Sequence, residues 1–436
     1  MAERRFLNIE RKLSRSFPLR QEYHEFMREY ERLGHITKVP RDGRSVANPV
    51  YYLPHHAVMK ETSTTTKVRV VSDGSAKTST GVSLNEIQRV GPVVQDDLIS
   101  ILIRFRQFPV VLNADIAKMY RQIMITPEQR CLQRILWREE PTQPIVTYEL
   151  NTVTYGTASA PFLATRVLRQ VGLDNIDTYP IVSHIIMQDF YVDDLLTGTD
   201  TIEQAKIFKR DVSRLLREAG FELRKWASNE PTVVNSVSDE PKGIVSQADK
   251  DPRTLGMLWG PLADELRVAI KDRITTRVTK RVILSEFARI FDPLGLVGPV
   301  VMRAKLLIQL LWQSKVSWDE SVPPMIHAEF RDFQSDLQSL RRVAIPRLVV
   351  RPNSTQVEIH GFCDASQKAY GACVYLRTVD GRGNGTARLL CGKSRVAPLN
   401  TISLPRLEHY GAFLNAISRQ GANCFSDCYS SGVLLE

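Results

Sequence analysis

Apolar side chains recur at helical spacing through the first 38 residues, at Leu7, Ile9, Leu13, Phe17, Tyr23, Phe26, Tyr30 and Leu33, and Gly34 supplies a stop. The pattern predicts a helical lead-in. The period then changes. His56-Ala57-Val58-Met59 and Lys67-Val68-Arg69-Val70-Val71 predict two strands joined by the polar tract 61–66. Residues 96–107 predict a helix, and the apolar run at 109–115 a buried strand ending in the carboxylate of Asp115. Helical spacing returns at 160–172. Residues 184–196 predict two strands with a tight turn, and 205–219 a helix closed by Gly220. Pro, Ser, Asp and Asn dominate 230–253, which reads as a connector. Residues 280–345 are again helical, a second connector lies near 346–354, and alternating strands occupy 356–377.

Length and charge narrow the class. A chain of 436 residues is expected to hold two or three domains. With 43% hydrophobic and 24% charged residues it is globular rather than disordered. Lys plus Arg exceed Asp plus Glu by 58 to 48, a net charge of +10 that favours a polyanionic partner. The N-terminus carries charge throughout and lacks the apolar centre of a secretory signal. The most apolar stretch, 281–312, is interrupted by Glu286, Arg289, Asp292, Arg303 and Lys305, so no membrane span is expected. Cys131, Cys363, Cys373, Cys391, Cys424 and Cys428 suggest no disulfide framework. A soluble intracellular protein is the expectation.

The sharpest chemical feature is Phe190-Tyr191-Val192-Asp193-Asp194-Leu195-Leu196. As a bare pattern, adjacent carboxylates often mark a solvated turn, but hairpin turns centre on Gly or Asn and neither occurs here. Like charges side by side repel, so an apolar setting calls for a cation. Mg²⁺, held by one or two carboxylates plus substrate phosphates, is the natural one. Asp115 is an upstream partner. One carboxylate from its strand and one from the hairpin would hold two Mg²⁺ ions about 4 Å apart, activating a 3′-hydroxyl and stabilising departing pyrophosphate. Spacing alone also allows unrelated surface or capping aspartates.

Tyr-Val-Asp-Asp in this setting resembles the catalytic hairpin of reverse transcriptases, and other segments resemble the same polymerase in order. The run from Asn113-Ala114-Asp115-Ile116 to Tyr120-Arg121-Gln122-Ile123 is similar to the first catalytic motif. Tyr155-Gly156 with Ser159-Ala160-Pro161-Phe162 is similar to the motif beneath the templating base. Phe221-Glu222-Leu223-Arg224-Lys225-Trp226 resembles the segment after the palm helix, and Leu255-Gly256-Met257-Leu258-Trp259 the entry to the thumb. More narrowly, Tyr52-Leu53-Pro54-His55-His56-Ala57-Val58, Val90-Gly91-Pro92-Val93-Val94-Gln95-Asp96-Asp97-Leu98 and Ile290-Phe291-Asp292-Pro293-Leu294-Gly295-Leu296 resemble Pao/BEL-type LTR retrotransposon polyproteins, over about residues 5–412.

The resemblance implies an α+β right-hand polymerase followed by a partial RNase H-like α/β domain. Its divisions would be a helical lead-in at 1–45, fingers and palm at 46–230, thumb and connection at 231–345, and an incomplete RNase H-like domain at 346–436. Asp115 and Asp193 would be direct metal ligands, Asp194 the third carboxylate, and Ile116 would offer its carbonyl to the second ion. Tyr120 would be the steric gate that selects deoxynucleotides, since the 2′-OH separates the two sugars. Lys67 and Arg69 would clamp the triphosphate. Gly156 would allow close backbone approach to nucleotide or template, and Lys225 would stand where a lysine protonates pyrophosphate. Tyr155 departs from the Gln of many retroviral enzymes. Blander readings remain beside these: solvated strand faces for Lys67 and Arg69, a half-buried ring for Tyr120, an exposed strand-end lysine for Lys225. Asp189 reads as structural and Trp226 as core.

Residues 357–364 alternate and end in Asp364, 372–376 return as a second strand, and Ser403-Leu404-Pro405-Arg406-Leu407-Glu408 resembles the helix that supplies a second carboxylate. An RNase H site needs about four such groups; Asp427 is a poor third. Cys424 and Cys428 lack a complementary pair for zinc. No Asp-Thr-Gly or Asp-Ser-Gly occurs, so peptidase chemistry is not expected. The implied activity is RNA-directed DNA polymerisation with two Mg²⁺ ions, Mn²⁺ as a substitute, and RNA template, DNA primer and deoxynucleoside triphosphates as partners. The alternatives are a retroelement remnant that binds nucleic acid without catalysis, and a nuclease or peptidase acting through Asp364 and Glu408.

Overall fold

The computed structural model describes residues 1–40, 49–59, 68–234, 253–254, 257–270, 277–400 and 402–422. Lys67, the tract 61–66, most of the 230–253 connector, Leu255, Gly256, Cys424, Asp427 and Cys428 lie outside them. Helices and sheets are mixed in an α+β chain that divides into two compact units. The first comprises Met1–Gln95, Ile116–Met187 and Ser213–Leu223; the second comprises Asp96–Asp115, Gln188–Val212 and Arg224–Glu436.

In the first unit the expected single lead-in is two helices, Ala2–Ser14 and Phe17–Arg32. Pro18 explains the break. It has no N–H for a preceding carbonyl and disfavours helical backbone before it, so it opens a helix rather than continuing one. Ser16 is accordingly extended. Gly34 stops the second helix as expected, with φ +72. Phe6, Leu13, Tyr23 and Met27 pack on Trp137, Tyr148 and Leu150 of a three-stranded sheet whose central strand is Val146–Leu150. His55–Met59 and Val68–Ser72 form the expected antiparallel hairpin. Residues 184–188, read as strand, belong to the helix Pro180–Gln188. A short β-branched apolar run is ambiguous in period, and Pro180 at the start with Val182, Ile185 and Ile186 buried decides for helix.

The second unit holds the carboxylate strand Val110–Ile116 near the middle of a four-stranded sheet, ordered Phe190–Tyr191, Asp194–Thr199, Val110–Ile116, Leu223–Ser228. Val110 and Leu112 pack with Ala205 and Val233, whereas Val111 faces Leu196, Ile101 and Phe105. Burial on both faces is why this strand reads as a continuous apolar run.

Within the stretch read as a connector at 346–354, residues 347–350 form a strap in which Arg347, Val349 and Val350 are buried. Arg347 is 0% exposed and grips Asp264 through Nε and Nη2 at 2.6 and 2.8 Å. It also donates to the carbonyls of Phe105 and Phe108 at 2.5 and 2.9 Å. Arg106, equally buried, donates to the carbonyls of Arg347 and Leu390 at 3.0 and 2.7 Å. Beyond the strap, Ser354–Ala365, Ala369–Asp380 and Gly385–Val396 form an antiparallel sheet; the third strand was not legible in the sequence. The helices Lys280–Phe287, Gly298–Gln313 and Pro324–Leu337 form a separate apolar cluster around Phe287, Leu311 and Phe330, matching the helical reading of 280–345.

Arg347→Ala leaves the half-buried Asp264 without its cation and strips several buried carbonyls of their donor. The expected loss is about 3–5 kcal/mol, read as a drop in the denaturant midpoint. A loss below about 1 kcal/mol would contradict the assigned role.

Candidate active site

Asp115 and Asp194 are direct cross-strand partners. Like charges placed opposite each other destabilise a sheet, so this register is costly unless a cation intervenes. Tyr191 pairs with Asp194 across the hairpin, leaving Val192 and Asp193 as its two turn residues. Without Gly or Asn, the turn forces Val192 to φ +58. A β-branched residue there stores about 1–3 kcal/mol of strain, which persists only where the surroundings impose it. Two strands thus present Asp115, Asp193 and Asp194 together.

Electrostatics agree with the register. The Asp194 carboxyl is pushed up to about 7, first by burial and then by the negative charges of Asp193 and Asp115, while Lys225 opposes the rise. Lys225 Nζ lies 2.9 Å from Asp115 Oδ2, so one cation already stands at the carboxylates. Its backbone is also left-handed, at φ +56.

The hairpin is anchored from behind. Arg104 Nε donates to Asp189 Oδ1 at 3.0 Å, and Thr197 Oγ1 donates to Asp189 Oδ2 at 2.8 Å. Arg104 also donates to the carbonyl of Gln188 and to Asp96 at 2.9 Å. Burial raises the Asp189 carboxyl and Arg104 counters it. Asp189 is the structural residue expected of it. Arg104, 85 residues away, carried no local signal.

The other candidates fall in the first unit or outside the described residues. The Tyr120 and Tyr155 rings meet at a tilt of 49°, with centroids 4.7 Å apart. Gly156 has φ +97, and the backbone it approaches is the Ser72 carbonyl, 2.1 Å from where a Cβ would sit; that packing requires glycine without any ligand. Arg69 is exposed opposite Val58, and Ile116 is buried. Lys67 is not described.

Among the described residues, no group of three or more His, Cys, Asp or Glu side chains is arranged to hold a metal ion. The donor chemistry nonetheless suits Mg²⁺, which demands only one or two carboxylates when it arrives with phosphates. The Asp194 carboxyl is raised first by burial and then by the charges of Asp193 and Asp115, and only the second part is one that a cation would offset.

In the three-stranded sheet, Asp364 is exposed near the end of the first strand. The helix Leu404–Ala422 crosses it at Gly411, where a Cβ would lie 3.5 Å from the Asp364 carbonyl oxygen. Glu408, three residues earlier, lies one turn away on that side. The loop before Gly298–Gln313 meets the third strand backbone to backbone. Gly392 N donates to the Leu294 carbonyl at 2.7 Å, and Gly295, at φ +69, would place a Cβ 1.9 Å from Gly392 O. Asp292 holds the turn by accepting from the N–H groups of Leu296 and Val297 at 2.8 and 2.9 Å. The helical cluster and the sheet are therefore joined through the Ile290–Leu296 phrase.

Residues 279–422 match the family described as Pao retrotransposon-like RNaseH-like domain, a span that includes both the helical cluster and the three-stranded sheet. This part of the chain is similar to the RNase H-like part of a retroelement polyprotein. No curated protein matches the chain. No helix among the described residues is long and apolar enough to cross a membrane.

Two predictions follow from these geometries. Because the folded Asp194 carboxyl sits near 7 against 3.8 in the unfolded chain, its stabilising contribution is present below pH 4 and lost as pH rises through 7. In metal-free buffer, Asp194→Asn should gain melting temperature over wild type between pH 4 and pH 8; parallel curves would refute the assignment. Gly295→Ala should lower the melting temperature by several degrees through its steric clash, whereas Gly298→Ala, with open space around it, should leave it nearly unchanged.

Proposed function

We propose that the chain is the RNA-directed DNA polymerase part of a retroelement polyprotein, joined to an RNase H-like domain. The observation that carries this reading is the cross-strand Asp115–Asp194 pair beside Asp193 on a strained two-residue turn. In this reading 46–230 are fingers and palm of a right-hand polymerase, 231–345 thumb and connection, and 346–436 RNase H-like. RNA template, DNA primer and deoxynucleoside triphosphates are the partners.

Asp115, Asp193 and Asp194, with the Ile116 carbonyl, would hold two Mg²⁺ ions, which when bound supply Lewis-acid activation of the primer hydroxyl and charge stabilisation of pyrophosphate. The side chains do the rest. Asp194 faces two negative neighbours, so it holds its proton near neutrality until a cation offsets them. Lys225 meets that need only in part by pairing with Asp115, and on release from it can donate a proton to a departing pyrophosphate oxygen. Asp189, fixed by Arg104 and Thr197, keeps the hairpin from shifting when this charge rearranges. Tyr120 would gate the sugar, and Lys67 and Arg69 would meet the triphosphate. In the RNase H-like part, Asp364 and Glu408 would be the carboxylates of an RNase H site.

A second reading draws on the Lys225–Asp115 pair and the absence, among the described residues, of a ready metal cluster. It is a remnant that binds nucleic acid without copying it. One experiment separates the two: deoxynucleotide incorporation on a primed RNA template with Mg²⁺, comparing wild type with Asp193→Asn. The polymerase reading expects synthesis by wild type and a loss of roughly 10²-fold or more in the variant. Template–primer binding with no synthesis by either would leave the remnant.

A further inference from the structure

The helical cluster carries two tryptophans that are exposed yet held in place. Trp312 and Trp318 are 53% and 48% exposed, while Trp137 and Trp259 are buried as large aromatics usually are. Their rings meet edge to face, with centroids 6.1 Å apart at 89°. Lys280, only 5% exposed, sets its ammonium 3.6 Å from the Trp312 centroid and 5.6 Å from that of Trp318. Arg281 lies over Trp318 at 5.5 Å, and its N–H donates to the Trp318 carbonyl at 3.1 Å. The cations fix both rings from within, so little side-chain entropy remains to be lost when something stacks on them.

The surroundings say what that something is. Gln313, Ser314, Lys315, Val316 and Ser317 fill the sequence between the two rings, and of these Val316 packs against the helical cluster. Lys280 is held beneath the rings and Arg281 is paired with Asp319 at 2.8 Å, which leaves the exposed Arg277 and Lys315 as the cations open to a phosphate backbone, against Glu320. Rigid exposed rings in a basic setting match the way proteins bind single strands: bases stack on aromatic faces while cations follow the backbone. We propose that Trp312 and Trp318 form a stacking platform for single-stranded nucleic acid. Trp312 lies at the end of the Gly298–Gln313 helix and Trp318 in the loop that follows it, apart from the carboxylate sheet, so the platform does not require that sheet to be catalytic.

The test uses the full chain and a short oligodeoxythymidylate, without Mg²⁺ or nucleotides, so that an inactive polymerase still reports. Wild type should bind with quenching of tryptophan fluorescence and with affinity that falls steeply as salt rises. Trp312→Ala and Trp318→Ala should each weaken binding about tenfold and remove part of the quenching, and Trp318→Phe, which lacks the fluorophore but keeps a ring to stack on, should retain most of the wild-type affinity. Wild-type affinity in both alanine variants would overturn the platform, as would equal affinity for a duplex of the same length. Lost binding that tracks a lowered melting temperature, without rescue by phenylalanine, would reduce the pair to a structural clasp. A concentration-dependent dimer abolished by the same variants would assign the face to a second copy of the chain.

Discussion

Two buried arginines hold the second unit together. Arg347 and Arg106 sit where charge is most costly, and each is surrounded by backbone carbonyls or by the Asp264 carboxylate. Desolvation alone would expel them. The bidentate Asp264 contact and the ring of carbonyls offset that cost only in one arrangement of the strap, the Leu98–Phe105 helix and the third strand of the C-terminal sheet. A greasy side chain would bury as well but would tolerate sliding. Guanidinium geometry does not, and the carboxylate strand that starts at Val110 inherits its position from this lock.

The carboxylate hairpin shows the opposite economy, with instability retained at a site. Asp115 faces Asp194, Val192 is left-handed, and Asp194 resists ionisation. None of these features helps the protein fold. They are maintained by what lies behind them: the Asp189 carboxylate gripped by Arg104 and Thr197, and a strand buried on both faces. Lys225 moderates the repulsion without removing it, as the raised Asp194 carboxyl shows.

The Ile290–Leu296 phrase gives a related lesson. From sequence it is a recognisable string with no derivable task. In the fold its task is steric: Gly295 lets two backbones touch, and Asp292 ties the turn that brings them together. Gly156 is similar, since the approach it permits is to the Ser72 carbonyl.

The sequence by itself determined the local elements whose period is unambiguous: the 205–219 helix, the 109–115 strand, the first hairpin and the helices of 280–345. It also singled out Asp115, Asp193 and Asp194, because adjacent carboxylates in an apolar frame are chemically conspicuous. It misread 184–188, where a short β-branched run carries no period, and it took the 346–354 strap for a connector, because nothing local distinguishes a buried arginine from a solvated one. Arg104 with Asp189, Arg347 with Asp264, and Gly295 with Gly392 were decided by tertiary structure alone. Their partners lie tens to hundreds of residues apart, and the energy of a buried charge or a backbone contact depends on what surrounds it in space rather than on what precedes it in the chain.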